Sequence, residues 1–197
     1  MTDLPFELDV EIVALLASPA HRYEGRPSDG PAPETDGDQR DHLEFVGGLG
    51  IVGDRYFNQH AHRASSVSIQ AIESLEKVSI ELDVAMPGLA QTRRNVLLRG
   101  VDIDALAQVE FSLDSGDGAV LFTDARPCNP CAWMNVTVGE GAHRAFRRRG
   151  GLRTGPVNDG ILRVGPAILR AAVPIATLGY LPNLGLSARP ETPKSGK

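Results

Sequence analysis

Apolar and polar positions along this chain recur mostly with the period of strands. Val10-Glu11-Ile12-Val13-Ala14-Leu15-Leu16-Ala17 is a compact apolar run that predicts a first strand. Val109-Glu110-Phe111-Ser112-Leu113 alternates as a half-buried strand should, and Ala119-Val120-Leu121-Phe122-Thr123 reads as a buried one. The turn residues Asp114-Ser115-Gly116-Asp117-Gly118 join these two into a predicted hairpin. Shorter strands are expected over 65–69 and over 93–100, the latter ending in a glycine turn, and closing strands over 161–164 and 167–173. Helical spacing is clear in one place. Ile72, Leu75, Val78, Ile80 and Leu82 predict an amphipathic helix over about 70–82, with Glu73, Glu76 and Glu81 among its polar positions and Ser68 as N-cap. A short helix over 141–146 is stopped by Gly150-Gly151. Many short strands, few helices, no fixed repeat and no alternation of strand with helix predict a mainly β fold, a barrel or a sandwich.

Two stretches lack apolar periodicity. Residues 26–41 are rich in Pro, Gly, Asp and Glu and predict a mobile surface loop without chemistry. The chain beyond Pro174 reads as a peripheral tail. Gly47-Gly48-Leu49-Gly50-Ile51-Val52-Gly53-Asp54-Arg55 is glycine-rich, but no helix follows at once, as a phosphate loop would require. Close backbone approach and positive φ explain it better, delivering Asp54 and Arg55 to a defined place.

Composition narrows the picture. At 197 residues, 42% hydrophobic and 23% charged, the chain can bury one well-cored domain. No apolar run approaches the roughly 18 residues of a membrane span, and the first residues lack the pattern of a signal peptide. Two cysteines exclude a disulfide scaffold, so the cytoplasm is the expected compartment. The net charge of −5 argues against general nucleic-acid binding. The basic residues are nonetheless almost all arginine, and Arg144, Arg147, Arg148, Arg149 and Arg153 fall close together. Guanidinium suits bidentate anion recognition, although a solvated arginine-rich loop would look the same.

Both cysteines and the single tryptophan lie in Arg126-Pro127-Cys128-Asn129-Pro130-Cys131-Ala132-Trp133-Met134-Asn135. Two prolines should take this segment out of the strand ladder and present its side chains. A thiol reacts as thiolate, which Arg126 is near enough in sequence to favour; the alternative is two small apolar fillers at a strand end.

In their order, these motifs resemble the MOSC domain, named after the C-terminal domain of molybdenum cofactor sulfurases, in its small stand-alone bacterial form. The matching stretches are 50–55, 63–68 with Glu73 downstream, 93–103, 126–131 and 143–153. The likeness runs from about Val10 to Val173, so the whole chain is expected to be one domain. The resemblance implies a closed, mainly β barrel (MOSC or pyruvate-kinase β-barrel-like) with a few short peripheral helices. It also implies a molybdenum–pterin cofactor, with a cysteine acting as metal ligand or sulfur carrier. Pro130-Cys131 through Met134-Asn135 matches the family cysteine, making Cys131 the functional thiol and Cys128 an accessory. That second cysteine departs from the commonest family pattern.

A molybdenum ligand of this kind is a soft, deprotonated sulfur. Arg55 and Arg126 are expected to neutralise an anionic metal centre. Arg63, Arg94, Arg99, Arg144 and Arg147 are candidates for the cofactor phosphate. Asn95 and Asn135 are assigned to cofactor binding, Asn95 to the amide edge of the pterin. Asp54 orients an arginine or the pterin amino groups, or simply caps a turn.

The activities implied are cofactor sulfuration or reduction of N-hydroxylated substrates. With no pyridoxal-phosphate domain in the chain, a separate cysteine desulfurase or redox partner would be needed. A non-catalytic cofactor carrier is the main alternative. Two others are a zinc site from Cys128, Cys131 and two of His60, His62 and His143, and a dithiol redox protein using Cys128-Asn129-Pro130-Cys131.

Overall fold

A computed structural model describes residues 3–33 and 37–178. Eleven strands are present: β1 Phe6–Leu16, β2 Gln39–Arg40, β3 His42–Val46, β4 Gly50–Ile51, β5 Val67–Ala71, β6 Val96–Arg99, β7 Phe111–Asp114, β8 Val120–Pro127, β9 Leu152–Pro156, β10 Gly160–Arg163 and β11 Gly165–Ala171. The helices are α1 Ile72–Leu82, α2 Leu89–Thr92, α3 Trp133–Thr137 and α4 Ala142–Ala145, with 3-10 turns at Pro27–Asp29, His60–Ser65 and Ile103–Leu106.

Seven strands close into a barrel in the order β11-β7-β8-β9-β5-β6-β1, because β1 pairs with β11 as well as with β6. Closure leaves those strands no free edges. The pairings are antiparallel except β5–β6, which is parallel and is spanned by α1 and α2. Here the expected closed, mainly β barrel is found. Residues 160–163 form a strand of a separate sheet, β10-β3-β4, so the closing strand predicted over 161–164 does not join the barrel.

The barrel fills from alternating positions. Val10 and Ile12 of β1, Val67 and Ile69 of β5, Val96 and Leu98 of β6, and Phe111 and Leu113 of β7 point to one core. On β8 the inward set is Val120 and Phe122 but then Ala125. The register shifts between Thr123 and Arg126, where Asp124 has φ 52°. That β-bulge inserts one residue and so returns Ala125 to the core. Phe122 meets Phe45 edge-on at 5.8 Å and Phe111 at 5.3 Å. A second core lies outside the barrel, where Leu16 and Leu97 pack with Ile72, Leu75, Trp133 and Phe146 of the helical layer.

Several expectations change. α1 begins at Ile72 with Ala71 as its uncapped start, and Ser68 sits inside β5, so its hydroxyl serves another partner. Arg93 is not in a strand: it ends α2 with φ 54°, and β6 begins only at Val96. The 26–41 stretch is not merely a solvated loop, since Asp38 is buried and paired with Arg93, and Gln39–Arg40 adds a strand to β1. At the expected tail, Ile175 and Leu178 pack on the barrel core and the Asp102 N–H donates to the Ala176 carbonyl; 179–197 lie outside the described residues. Among the described residues no helix is long and apolar enough to cross a membrane.

Candidate functional site

One rim of the barrel gathers the starts of the parallel β5 and β6, with Arg153 of the antiparallel β9 and the end of β8 beside them. The register pairs Ser68 with Arg153 and Arg126 with Arg153 across this rim. A cavity of about 170 Å³ opens there, lined by Arg55, Tyr56, His62, Ser65, Ser68, Arg93, Arg94, Asn95, Cys128 and Arg153. Four arginines and a histidine converge on it, with no carboxylate in the lining. His21 registers the same field: its imidazole pKa is lowered by burial first and by Arg55 second.

Two buried carboxylates stand behind these cations. Asp54 accepts hydrogen bonds from the Ser18 N–H at 3.3 Å, the Tyr56 N–H at 3.0 Å and Asn95 Nδ2 at 3.1 Å. Its Oδ2 lies 3.9 Å from Arg55 Nη1, too far for a hydrogen bond. Arg55 Nε and Nη1 are therefore buried donors with no hydrogen-bond acceptor, and the guanidinium rests 4.4 Å above the Tyr56 ring. Tyr56 in turn contacts the His62 ring at 4.4 Å. Arg93, with only 5% of its side chain exposed, pairs through Nη1 with Asp38 at 3.2 Å and leaves Nε without a partner.

Asn95 has no capacity to spare. Its Oδ1 accepts from the Ser68 N–H at 2.9 Å and the Ser68 hydroxyl at 2.8 Å. Its Nδ2 donates to the Leu16 carbonyl and to Asp54, both at 3.1 Å. All four amide positions are engaged. Asn95 is thus a brace tying β1, β5 and Asp54 together, which corrects its expected role at a pterin edge. Asp54 is likewise a buried brace rather than a group presented to ligand.

The double glycine Gly150-Gly151 anchors two parts of the wall. The Cys128 N–H donates to the Gly151 carbonyl at 2.7 Å, and Arg94 Nε donates to the Gly150 carbonyl at 3.0 Å. The Gly151 N–H donates to Asp104 Oδ1 at 3.0 Å. A Cβ at Gly150 would lie 1.9 Å from the Cys128 carbonyl oxygen; one at Gly151, where φ is +76°, would lie 2.0 Å from the Ile69 oxygen. Only glycine fits either place. Burial pushes Asp104 up to about 6, and Asp102 adds to the rise, against the opposing Gly151 N–H and Arg94.

The other expected site residues scatter. Cys131, expected to be the functional thiol, is exposed and outside the cavity lining, whereas Cys128 lines it. Arg99 is at the far end of β6, paired with Glu76 at 3.0 Å. Arg126, although level with Arg153 in the sheet, lines a separate depression with Glu110 and Asp124. Arg63 and Arg144 are exposed and outside the lining. Asn135 accepts the His143 N–H at 2.7 Å, which starts the turn into α4. Arg147 lines another depression, with Asn129, Pro130, His143 and Arg148. Tyr56, His62, Ser65 and Arg93 join the cavity without having been assigned to it. Arg93 lies two positions before Asn95 in the same motif, the one sequence signal that points to it.

The alternative sites fare differently. Among the described residues no group of three or more His, Cys, Asp or Glu is placed to hold a metal ion, so the zinc set is not assembled. Both cysteines are free thiols. They follow a strand paired antiparallel on both sides, and the helix after them has five residues, unlike the strand–helix setting of a thioredoxin dithiol.

No family model matches the chain, and no curated protein matches it. Among solved structures its fold is similar to the YUAD protein from Bacillus subtilis, at 17% identity and a TM-score of 0.63. That match covers 85% of this chain and 98% of the other. A second similar structure is described only as a hypothetical protein, at 14% identity and a TM-score of 0.52, covering 83% and 69%. At such identities the likeness shows the fold alone.

Proposed function

We propose that the rim cavity binds an anionic, metal-bearing cofactor of the molybdenum–pterin class, held by Arg55, Arg93, Arg94 and Arg153 beside Cys128. One observation carries this reading: cationic donors converge on a cavity whose lining offers a thiol and no carboxylate. The unpartnered N–H groups of Arg55 and Arg93 are the fit test. Buried donors without acceptors leave positive charge uncompensated behind the cavity wall, which an oxyanion or phosphate in the cavity would offset. A cavity of about 170 Å³ is smaller than the roughly 300–1,000 Å³ that encloses a small molecule. It suits one anionic end of the cofactor, with the rest lying over the open rim.

When bound, the cofactor supplies two-electron or sulfur-transfer chemistry at its metal. The chain's own residues bind and orient it. Cys128 is assigned the ligand role over Cys131 because it lines the cavity; a metal-bound cysteine is a deprotonated one, and this sulfur would sit among guanidinium groups. Arg94 is fixed by the Gly150 and Thr92 carbonyls, so its charge is held in place before binding. Tyr56 and His62 close one side of the cavity with aromatic surface. Cofactor sulfuration and reduction of N-hydroxylated substrates are the two activities proposed, each with a separate partner protein.

Loading the purified protein with the cofactor tests this. Molybdenum retention should fall in Cys128→Ala and persist in Cys131→Ala. Retention unchanged in both variants would overturn thiolate ligation. Turnover of an N-hydroxylated base with an artificial donor separates an enzyme from a carrier.

A further inference from the structure

The stretch Cys128-Asn129-Pro130 forms a wall shared by two hollows. Cys128 lines the rim cavity, while Asn129 and Pro130 line a second hollow of about 310 Å³ with His143, Arg147 and Arg148. The two prolines at 127 and 130 stiffen this shared wall. His143 comes from α4, and Arg147 and Arg148 from the turn that follows it. The second lining also contains no carboxylate.

Of the arginines that follow His143, Arg149 is tied to Glu81 at 2.6 Å, while Arg144 is exposed with no carboxylate partner among the described residues. Arg147 and Arg148 have no carboxylate partner among the described residues, although both are exposed in a chain whose net charge is −5. Two unpaired guanidinium groups and an imidazole on one concave wall form an anion site in a protein that is acidic overall.

We propose that this hollow is a second anion subsite, which takes the phosphate group of a small phosphate ester. Its size reaches the lower bound of small-molecule pockets, about 300 Å³, so it has room for more than a bare phosphate. Guanidinium grips phosphate with parallel hydrogen bonds, and Arg147 and Arg148 supply two such forks. The overall negative charge disfavours a long polyanion such as a nucleic acid. The subsite does not depend on the cofactor reading of the rim cavity, and each can fail without the other.

Calorimetric titration of the full chain with inorganic phosphate and with phenyl phosphate, at constant ionic strength, tests it. The double variant Arg147→Gln/Arg148→Gln should weaken phenyl phosphate binding about tenfold or more, while any binding lost in Arg55→Gln persists. Both side chains are exposed, so the fold is expected to survive; Arg147→Glu provides an independent, stronger version. Phenyl phosphate should bind at least as tightly as phosphate, which assigns the subsite to an ester. An unchanged isotherm in the double variant overturns the subsite, and acetate competing as well as phosphate overturns the phosphate assignment. Loss of phenyl phosphate binding in the double variant, with no effect of Arg55→Gln on any anion, sustains the subsite and sinks the cofactor reading instead.

Discussion

Arg93 Nη1 lies 3.2 Å from Asp38 Oδ2, an ion pair in which both side chains are almost fully buried. It ties the stretch after the first strand to the cationic rim. Removing one partner of a buried pair strands the other charge, at a cost of about 3–5 kcal/mol. Asp38→Ala is therefore expected to destabilise the protein by about that amount in urea denaturation. Because the freed guanidinium faces the cavity, phosphate should restore more stability to Asp38→Ala than to the wild type. Equal stabilisation of both would show that Arg93 is not available to the cavity.

Gly150 and Gly151 hold Cys128 and Arg94 through consecutive carbonyls. Gly150→Ala would push a methyl group into the Cys128 carbonyl, and overpacking of this kind costs about 1–3 kcal/mol. Gly151→Ala adds the strain of a positive φ. Both variants should lose anion affinity along with stability. A Gly150→Ala protein with wild-type anion affinity would mean that the wall does not depend on this peptide.

Asp104 gives a pH signature. Its folded pKa, pushed by burial to about 6, lies above the ordinary 3.8. A raised carboxylate contributes stability that is fully present below its unfolded pKa and is lost as pH rises through the folded one. From pH 7 to pH 4, then, this group makes the wild type relatively more stable. Glu73 is raised in the same sense by burial, so the wild-type curve alone does not isolate Asp104. The comparison with Asp104→Asn does: the stability difference should shift in favour of the wild type as pH falls from 7 to 4. A pH-independent difference would contradict the raised value.

Asn95 ties β1 to β5 and to Asp54 with all of its hydrogen-bonding groups. Asn95→Ala leaves the Leu16 carbonyl, the Ser68 N–H and Asp54 each short of a partner in a buried setting. A loss of about 2–4 kcal/mol is expected, since each stranded buried polar group costs about 1–3 kcal/mol and partial relaxation recovers some of it. Thermal and urea unfolding measure it. A loss below about 1 kcal/mol would show that the brace is not needed.

The barrel was legible because its strands carry the strand period with Val, Ile, Leu and Phe inward, and because the hairpin of β7 and β8 announces its turn. β9 was not, since Leu152–Pro156 contains a glycine and a proline and only a partial alternation. The short α2 and α3 offer too few residues to show a helical period. The cavity was half legible. Arg55, Arg94, Asn95 and Cys128 stand in motifs, and the barrel brings those motifs to one rim. Arg99 lies at the opposite end of its strand, and Arg126, though level with Arg153, opens on a separate depression; no local pattern marks either placement. Asp38 sits in a polar stretch that looks solvated, and only its distant partner Arg93 explains its burial.

In the proposed binding mode Cys128, and not Cys131, faces the bound cofactor. X-ray absorption at the molybdenum edge of cofactor-loaded protein tests it most directly. Cys128→Ala is expected to lose one sulfur scatterer relative to the wild type, while Cys131→Ala keeps the full count. The same sulfur count in wild type and Cys128→Ala, or a loss confined to Cys131→Ala, would contradict it.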